Sequence, residues 1–157
     1  MHFTLRPAGT DDAALLRTLF DAERAPDFAH LDAPLRATLL DMQYRAMTAD
    51  RAARYPQAED RVIELDGAPV GRLLVDRSGE STTLVDVALL PAARGRGLGR
   101  ALLNALCAEG RPVLLTVAAD NPARRLYARL GFLPTGEAPP YVFMRFVPGG
   151  HAGDPST

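Results

Sequence analysis

The chain has 157 residues, and all 18 of its basic residues are arginine. At 47% hydrophobic residues it is long and apolar enough to bury the core of one globular domain. The absence of lysine excludes Schiff-base chemistry, a Walker-A phosphate loop and a protein-kinase nucleotide site, each of which needs a lysine amine.

A lone Cys107 excludes an internal disulfide framework and a multi-cysteine zinc site. It lies in an apolar helical stretch and reads as an inert core thiol. His2, His30 and His151 show no ligand spacing, so no metal is expected. The opening MHFTLRP has no apolar leader, and no apolar run approaches the roughly 20 residues that cross a bilayer. A cytoplasmic protein without membrane contact is the expectation. The net charge of -1 argues against a nucleic-acid binder. It conceals an asymmetry: residues 1–80 carry 10 arginines against 14 acids, residues 81–157 carry 8 against 5. An acidic front and a basic back suit a cationic co-substrate beside an anionic one.

Residues 2–6 alternate up to Pro7 and predict a first strand. Thr10, with Asp11 and Asp12 behind it, marks a helix start, and Leu15, Leu16, Leu19 and Phe20 follow at helical spacing. A second helix is predicted from about Pro34 to Ala53, with Leu35, Leu39, Met42 and Met47 as its buried stripe and Tyr44 in the core or on a pocket wall. RVIEL, Asp66-Gly67 and PVGRLLVD predict a hairpin, because Asp-Gly favours the primed turns that match strand twist. TTLVDVALL is the next strand. Leu98, Leu102, Ala105 and Leu106 describe a helix that closes near Gly110. PVLLTV is a short buried strand; Asp120-Asn121-Pro122 opens a helix ended by Gly131; FLPT and YVFMRFV close the chain as strands.

The informative stretch joins TTLVDVALL to the helix at Leu98: Arg94-Gly95-Arg96-Gly97-Leu98-Gly99-Arg100. Alternate glycines between a strand and a helix N-terminus let the backbone approach a ligand with its amides pointing outward, which makes an anion site. Arg94, Arg96 and Arg100 add charge and fork-shaped donors. The dinucleotide fingerprint fails on register from either Gly95 or Gly97, since its third glycine falls on Arg100 or Leu102. On the helix after Pro122, Leu126 and Leu130 share a stripe predicted to pack on the sheet, while on the neighbouring stripe Ala123 leaves room for a ligand and Tyr127 either presents its hydroxyl there or is a core aromatic with its hydroxyl satisfied.

Arg94 to Gly99 resembles the signature of the GCN5-related N-acetyltransferase (GNAT) superfamily. So does a second block, Asn121-Pro122-Ala123-Arg124-Arg125-Leu126-Tyr127, closed by Gly131-Phe132. The resemblance implies an α/β fold of order β-α-α-β-β-β-α-β-α-β-β: a mixed, mostly antiparallel central sheet with splayed strands and helices on both faces. It implies one N-acetyltransferase domain over residues 1–147; the polar PGGHAGDPST at 148–157 is expected to be a disordered tail. Acetyl-coenzyme A would lie between two splayed strands, its diphosphate on Arg94 through Gly99 and Arg100. The backbone of Val87 and Leu89 would hold the pantetheine arm and the thioester carbonyl. Asn121, Ala123 and Arg124 would complete the cofactor contacts, and Tyr127 would face the sulfur as the acid for the departing thiolate. Asp86 is the acid on the matching strand and a candidate base, with Glu23, Glu64 or a water chain as alternatives. Arg45, Asp50, Arg54, Tyr55 and Tyr141 are candidates for the border of an acceptor pocket. The expected partner is a small-molecule or peptide amine, without nucleic acid, and a homodimer is compatible with the fold. Two other readings stay open: a non-catalytic acyl-coenzyme A sensor, and a transferase of longer acyl chains.

Overall fold

A computed structural model describes residues 2–149. The tail from residue 150, expected to be disordered, lies outside the described residues. The elements alternate as predicted, in a mixed α/β architecture whose seven strands, β1 (Phe3–Pro7), β2 (Glu59–Leu65), β3 (Ala68–Asp76), β4 (Thr82–Leu89), β5 (Val113–Ala118), β6 (Leu133–Ala138) and β7 (Tyr141–Phe146), take the sheet order β1-β2-β3-β4-β5-β7-β6. By contact the described residues divide into two compact units. The first runs through Leu74 and resumes over Asp86–Arg96; the second takes Val75–Val85 and the residues from Gly97 onward. Two of the three breaks fall inside strands, at Leu74/Val75 and Val85/Asp86, and the third falls in the glycine-rich turn, between Arg96 and Gly97.

The first unit opens with β1 (Phe3–Pro7), antiparallel to β2 (Glu59–Leu65) with Phe3 opposite Leu65. The predicted helix start at Thr10 is corrected: Thr10–Asp12 form a 3-10 turn, and α1 spans Ala13–Arg24. The reason lies with Asp12, whose buried carboxylate accepts the Gly9 N–H at 2.8 Å and both terminal Arg6 nitrogens at 2.8 and 2.9 Å. Helix α2 spans Ala33–Arg54. Asp32 caps it, its carboxylate accepting the Leu35 N–H at 3.0 Å, and Pro34 sits in the first turn. The predicted stripe of α2 is also corrected. Leu35 and Met42 are exposed, at 46% and 61%, and the inner face runs Leu40, Tyr44, Met47, Arg51. Tyr44 meets Phe20 of α1 edge-on at 5.1 Å, which makes it a packing residue between the two helices. The hairpin of β2 and β3 (Ala68–Asp76) turns at Asp66 and Gly67 with φ of 52° and 84°, the left-handed pair of a type I′ turn.

Strand β4 spans Thr82–Leu89. In the second unit its first residues, Thr82–Leu84, pair in parallel with Val113–Leu115 of β5 (Val113–Ala118). Strand β5 is also antiparallel to β7 (Tyr141–Phe146), and β7 to β6 (Leu133–Ala138). Helix α3 (Leu98–Cys107) buries Leu98, Leu102, Leu103 and Leu106. Ala105, placed in its stripe from the sequence, is exposed, and Leu103 takes that position in the core. Helix α4 (Ala123–Arg129) starts one residue later than predicted, with Pro122 at its N-cap. Gly131, at φ 103°, ends the segment, and Phe132 behind it is 1% exposed.

Candidate active site

Three pieces of chain carry the residues that the sequence singles out. The first is a cavity of about 40 Å³ in the first unit, lined by α1, α2, β3 and β4. Its wall is half apolar, with Leu16, Leu19, Phe20 and Met47. The remainder is charged: Glu23, Arg24, Arg51, Arg72 and Asp86. Two of the acids around it are committed. Asp86 accepts from Arg51 Nη1 at 3.2 Å, with both side chains 21% exposed. Arg72 clamps Asp60 with Nε and Nη2, each at 2.9 Å, the bidentate geometry that makes an arginine–carboxylate contact strong.

Glu23 is different. Its side chain reaches solvent at the rim, yet its carboxyl is raised above the ordinary range, first by lost hydration and then by the negative charge of Asp86. Arg24 stacks its guanidinium 5.9 Å from the centre of the Phe20 ring. Among the described residues neither Glu23 nor Arg24 forms a hydrogen bond or an ion pair. Asp86, a candidate base from its sequence position, is held by arginine instead, whereas the glutamate on α1 is left open.

Several expected neighbours lie elsewhere. Arg45 pairs with Asp41 at 3.1 Å and Arg54 with Asp50 at 3.3 Å on the outer face of α2. Tyr55 stacks under Arg54 at 5.3 Å, and Glu64 takes part in an ion pair with Arg6 at 3.3 Å. Tyr141 is exposed on β7 of the second unit. None of these residues lines the cavity. Arg24, Arg51 and Arg72, which do line it, were not singled out from the sequence. Arg51 had a legible signal: it continues the spacing of Leu40, Tyr44 and Met47, so a charge falls where the helix faces inward.

The second piece is the turn from β4 to α3. Leu89 accepts from Arg94 Nε at 3.1 Å, and the Leu90 N–H donates to Val70 at 2.8 Å, which fixes the end of the strand. Gly71 of β3 lies against this strand so closely that a Cβ there would stand 2.4 Å from the Ala88 carbonyl oxygen. Gly95 and Gly97 adopt φ of 76° and 79°, conformations that favour glycine. A Cβ placed on Gly95, Gly97 or Gly99 would meet nothing within 4 Å, so the turn is open along its length. Arg94, Arg96 and Arg100 are exposed, whereas Leu98 is buried at 1% and anchors the helix start. Gly97 caps α3 without a side chain, so the first-turn amides have no intrahelical acceptor and present the positive end of the helix dipole.

The third piece is the start of α4 in the second unit. Asn121 Oδ1 accepts the Ala123 N–H at 2.9 Å, and Arg124 Nη1 donates to the Ala119 carbonyl at 2.6 Å. Both side chains border a wide depression of about 630 Å³. Tyr127 corrects the predicted division of faces on this helix. It is the buried residue, 8% exposed and 5.7 Å from the Phe132 ring, while Leu126 and Leu130 are half-buried. A ring can fill the volume that two leucines were expected to share.

Comparison with known proteins agrees with the motif reading. The profile of the acetyltransferase (GNAT) domain matches residues 59–134, which contain β2 to β5 and both motif blocks. A mycothiol acetyltransferase of Clavibacter michiganensis subsp. michiganensis is 40% identical over 65 residues, covering 40% of this chain and 21% of that protein. A mycothiol acetyltransferase of Clavibacter sepedonicus is 31% identical over 119 residues, covering 66% of this chain and 39% of that protein. The chain thus spans at most about two fifths of the length of these curated relatives. Among solved structures, the histone acetyltransferase HPA2 and related acetyltransferase from Corynebacterium glutamicum superposes with a TM-score of 0.68 at 25% identity, covering 96% of this chain and 99% of that one. The PaiA N-acetyltransferase of Thermoplasma acidophilum, solved in complex with coenzyme A, gives 0.68 at 14% identity over 92% and 98%. YncA of Salmonella typhimurium, solved with its cofactor acetyl-CoA, gives 0.56 at 22% identity over 97% of both chains.

Proposed function

We propose, from the premise that this chain belongs to the GNAT acetyltransferase superfamily, that it transfers an acetyl group from acetyl-coenzyme A directly to an amine. The observation that carries this reading is the turn from Arg94 to Gly99. Its left-handed glycines, open surroundings, exposed arginines and uncapped first helical turn suit a bound diphosphate. A diphosphate gripped by amides and guanidinium forks needs no lysine, which agrees with the composition.

Acetyl-coenzyme A, when bound, supplies the activated acyl group as a thioester. The work left to the chain is threefold. Backbone groups of Val87 and Leu89 orient the pantetheine arm and the carbonyl, and one preorganised donor at a developing oxyanion is worth about 3 kcal/mol. Ala123, Arg124 and the Asn121 amide lie at the start of α4 as the remaining cofactor contacts. A phenol is an acid weak enough to stay protonated at neutral pH and strong enough to protonate or hydrogen-bond a departing thiolate, the role given to the Tyr127 hydroxyl.

The test is thiol release from acetyl-coenzyme A across a panel of amines. Tyr127→Phe keeps the packing on Phe132 and removes the hydroxyl. Its turnover at saturating acetyl-coenzyme A is expected to fall by about a hundred- to ten-thousandfold, with cofactor affinity unchanged, on the scale of general acid catalysis. An unaltered turnover rules Tyr127 out as the acid.

A further inference from the structure

Among the described residues, every charge lining the cavity of the first unit has an ion-pair partner except two. Arg51 is matched by Asp86 and Arg72 by Asp60. Glu23 and Arg24, adjacent in sequence at the last turn of α1, line the same cavity and are paired neither with each other nor with another described residue. A carboxylate and a guanidinium left open side by side, on a wall otherwise neutralised pair by pair, are complementary to a ligand that carries both signs itself. From this juxtaposition we propose that the acceptor is zwitterionic, an amine bearing a carboxylate as in a free amino acid, with its ammonium on Glu23 and its carboxylate on Arg24.

The surroundings fit that class. A cavity of about 40 Å³ has room for about three water molecules, the space of a charged head group. The exposed rim at Glu23 lets the remainder of the acceptor extend outward, and Leu16, Leu19, Phe20 and Met47 offer apolar contact. The Arg24 guanidinium carbon lies over the Phe20 ring at 5.9 Å, and its N–H donors make no hydrogen bond to a described residue, so they are available to a carboxylate.

Glu23 then has a chemical task. Its carboxylate takes one proton from the ammonium and becomes a carboxylic acid that returns the proton to solvent. The freed nitrogen bonds to the acetyl carbon, the carbon–sulfur bond breaks, and the second N–H proton leaves to make the thiolate a thiol. The products are the N-acetyl amino acid and free coenzyme A.

This inference rests on the acetyl-transfer reading, and the experiment separates the two. Thiol release is followed with free amino acids, their carboxamides and the matched alkylamines, while binding of acetyl-coenzyme A is measured by calorimetry. Amino acids are expected to be acetylated with kcat/KM at least tenfold above their carboxamides. Arg24→Gln is expected to cut that preference by about ten- to a hundredfold, the worth of a hydrogen bond to a charged group. Arg24→Lys retains part of it. Glu23→Gln lowers kcat for amino acids by a hundredfold or more, and Glu23→Asp restores a fraction. If carboxamides or simple amines are turned over as well as amino acids, or Arg24→Gln leaves the preference unchanged, the zwitterion assignment is overturned while acetyl transfer stands. Binding of acetyl-coenzyme A without turnover of any amino acid overturns it equally. A protein that neither binds acetyl-coenzyme A nor acetylates any panel member removes the transfer reading itself.

Discussion

Gly71 sets the path of the strand proposed to carry the cofactor, and Gly71→Ala tests that. A Cβ at this position stands 2.4 Å from the Ala88 carbonyl oxygen, 2.8 Å from a Leu89 methyl and 3.1 Å from Ile63 Cδ1, where 3.4 Å or more is ordinary contact. The nearest of these is backbone, so it cannot rotate away; β3 and β4 must part by about 1 Å. The Leu90 N–H to Val70 bond, at 2.8 Å and one residue removed from Gly71, does not survive such a shift. Overpacking costs about 1–3 kcal/mol and the lost hydrogen bond about 1 kcal/mol more. For a chain of 157 residues, each kcal/mol moves the melting temperature by about 2–4 °C, so a loss of about 4–15 °C is expected by differential scanning fluorimetry. The displaced segment, Ala88–Leu89, is the part of β4 assigned to the pantetheine arm and the carbonyl. A misplacement of 1 Å there is expected to lower kcat/KM for acetyl-coenzyme A by tenfold or more. Gly79→Ala, in an exposed turn with nothing within 4 Å of its Cβ, is the control and should stay within about 0.5 kcal/mol of the parent. If Gly71→Ala melts with the parent and keeps its cofactor kinetics, the close approach does not govern β4.

Two further outcomes follow from perturbed ionisation. Asp12 is held down to about 2, first by the Arg6 hydrogen bonds and then by the Gly9 N–H, so it stabilises the fold above its ordinary value of 3.8 and loses that contribution as pH falls through about 2. Asp12→Asn should therefore melt below the parent at pH 7 by a margin that narrows under about pH 4 and closes near pH 2; a margin constant across that range would show that the charge contributes nothing. Burial pushes the Cys107 thiol up to about 11, so alkylation by iodoacetamide at pH 8 should run at least about tenfold slower than for free cysteine, after allowing for the greater nucleophilicity of a more basic thiolate. Labelling at the free-thiol rate would contradict that environment.

The turn proposed to hold the cofactor was legible as a local structure in the sequence because its requirements are local. Gly95 and Gly97 must take left-handed backbone, Leu98 must anchor a helix start, and arginines must stand at the turn; all of this is written within seven consecutive residues. Asp66-Gly67 was readable for the same reason. Side-chain placement across a helix was less so. Leu35 and Met42 look like core residues by type, but α2 turns a different stripe inward, and the choice between two overlapping stripes is made by what α1 offers, Phe20 against Tyr44. At α4 the same ambiguity went the other way, with Tyr127 taking the volume expected for leucines.

The charged cavity of the first unit required the tertiary structure, because its charges come from four elements and only their mutual pairing distinguishes them. Asp86 and Glu23 are equivalent candidates as letters; Arg51 on α2 makes them different by taking one and leaving the other. A trace of this is nonetheless present in the chain. On α1 the spacing Leu16, Leu19, Phe20 continues to Glu23, and on α2 the spacing Leu40, Tyr44, Met47 continues to Arg51. In both helices a charged residue occupies the next position of an inward face. A charge placed there loses hydration unless something on the far side repays it. For Arg51 that something is Asp86. For Glu23 the protein supplies no partner, its carboxyl is raised accordingly, and the compensation is left to the ammonium of an acceptor.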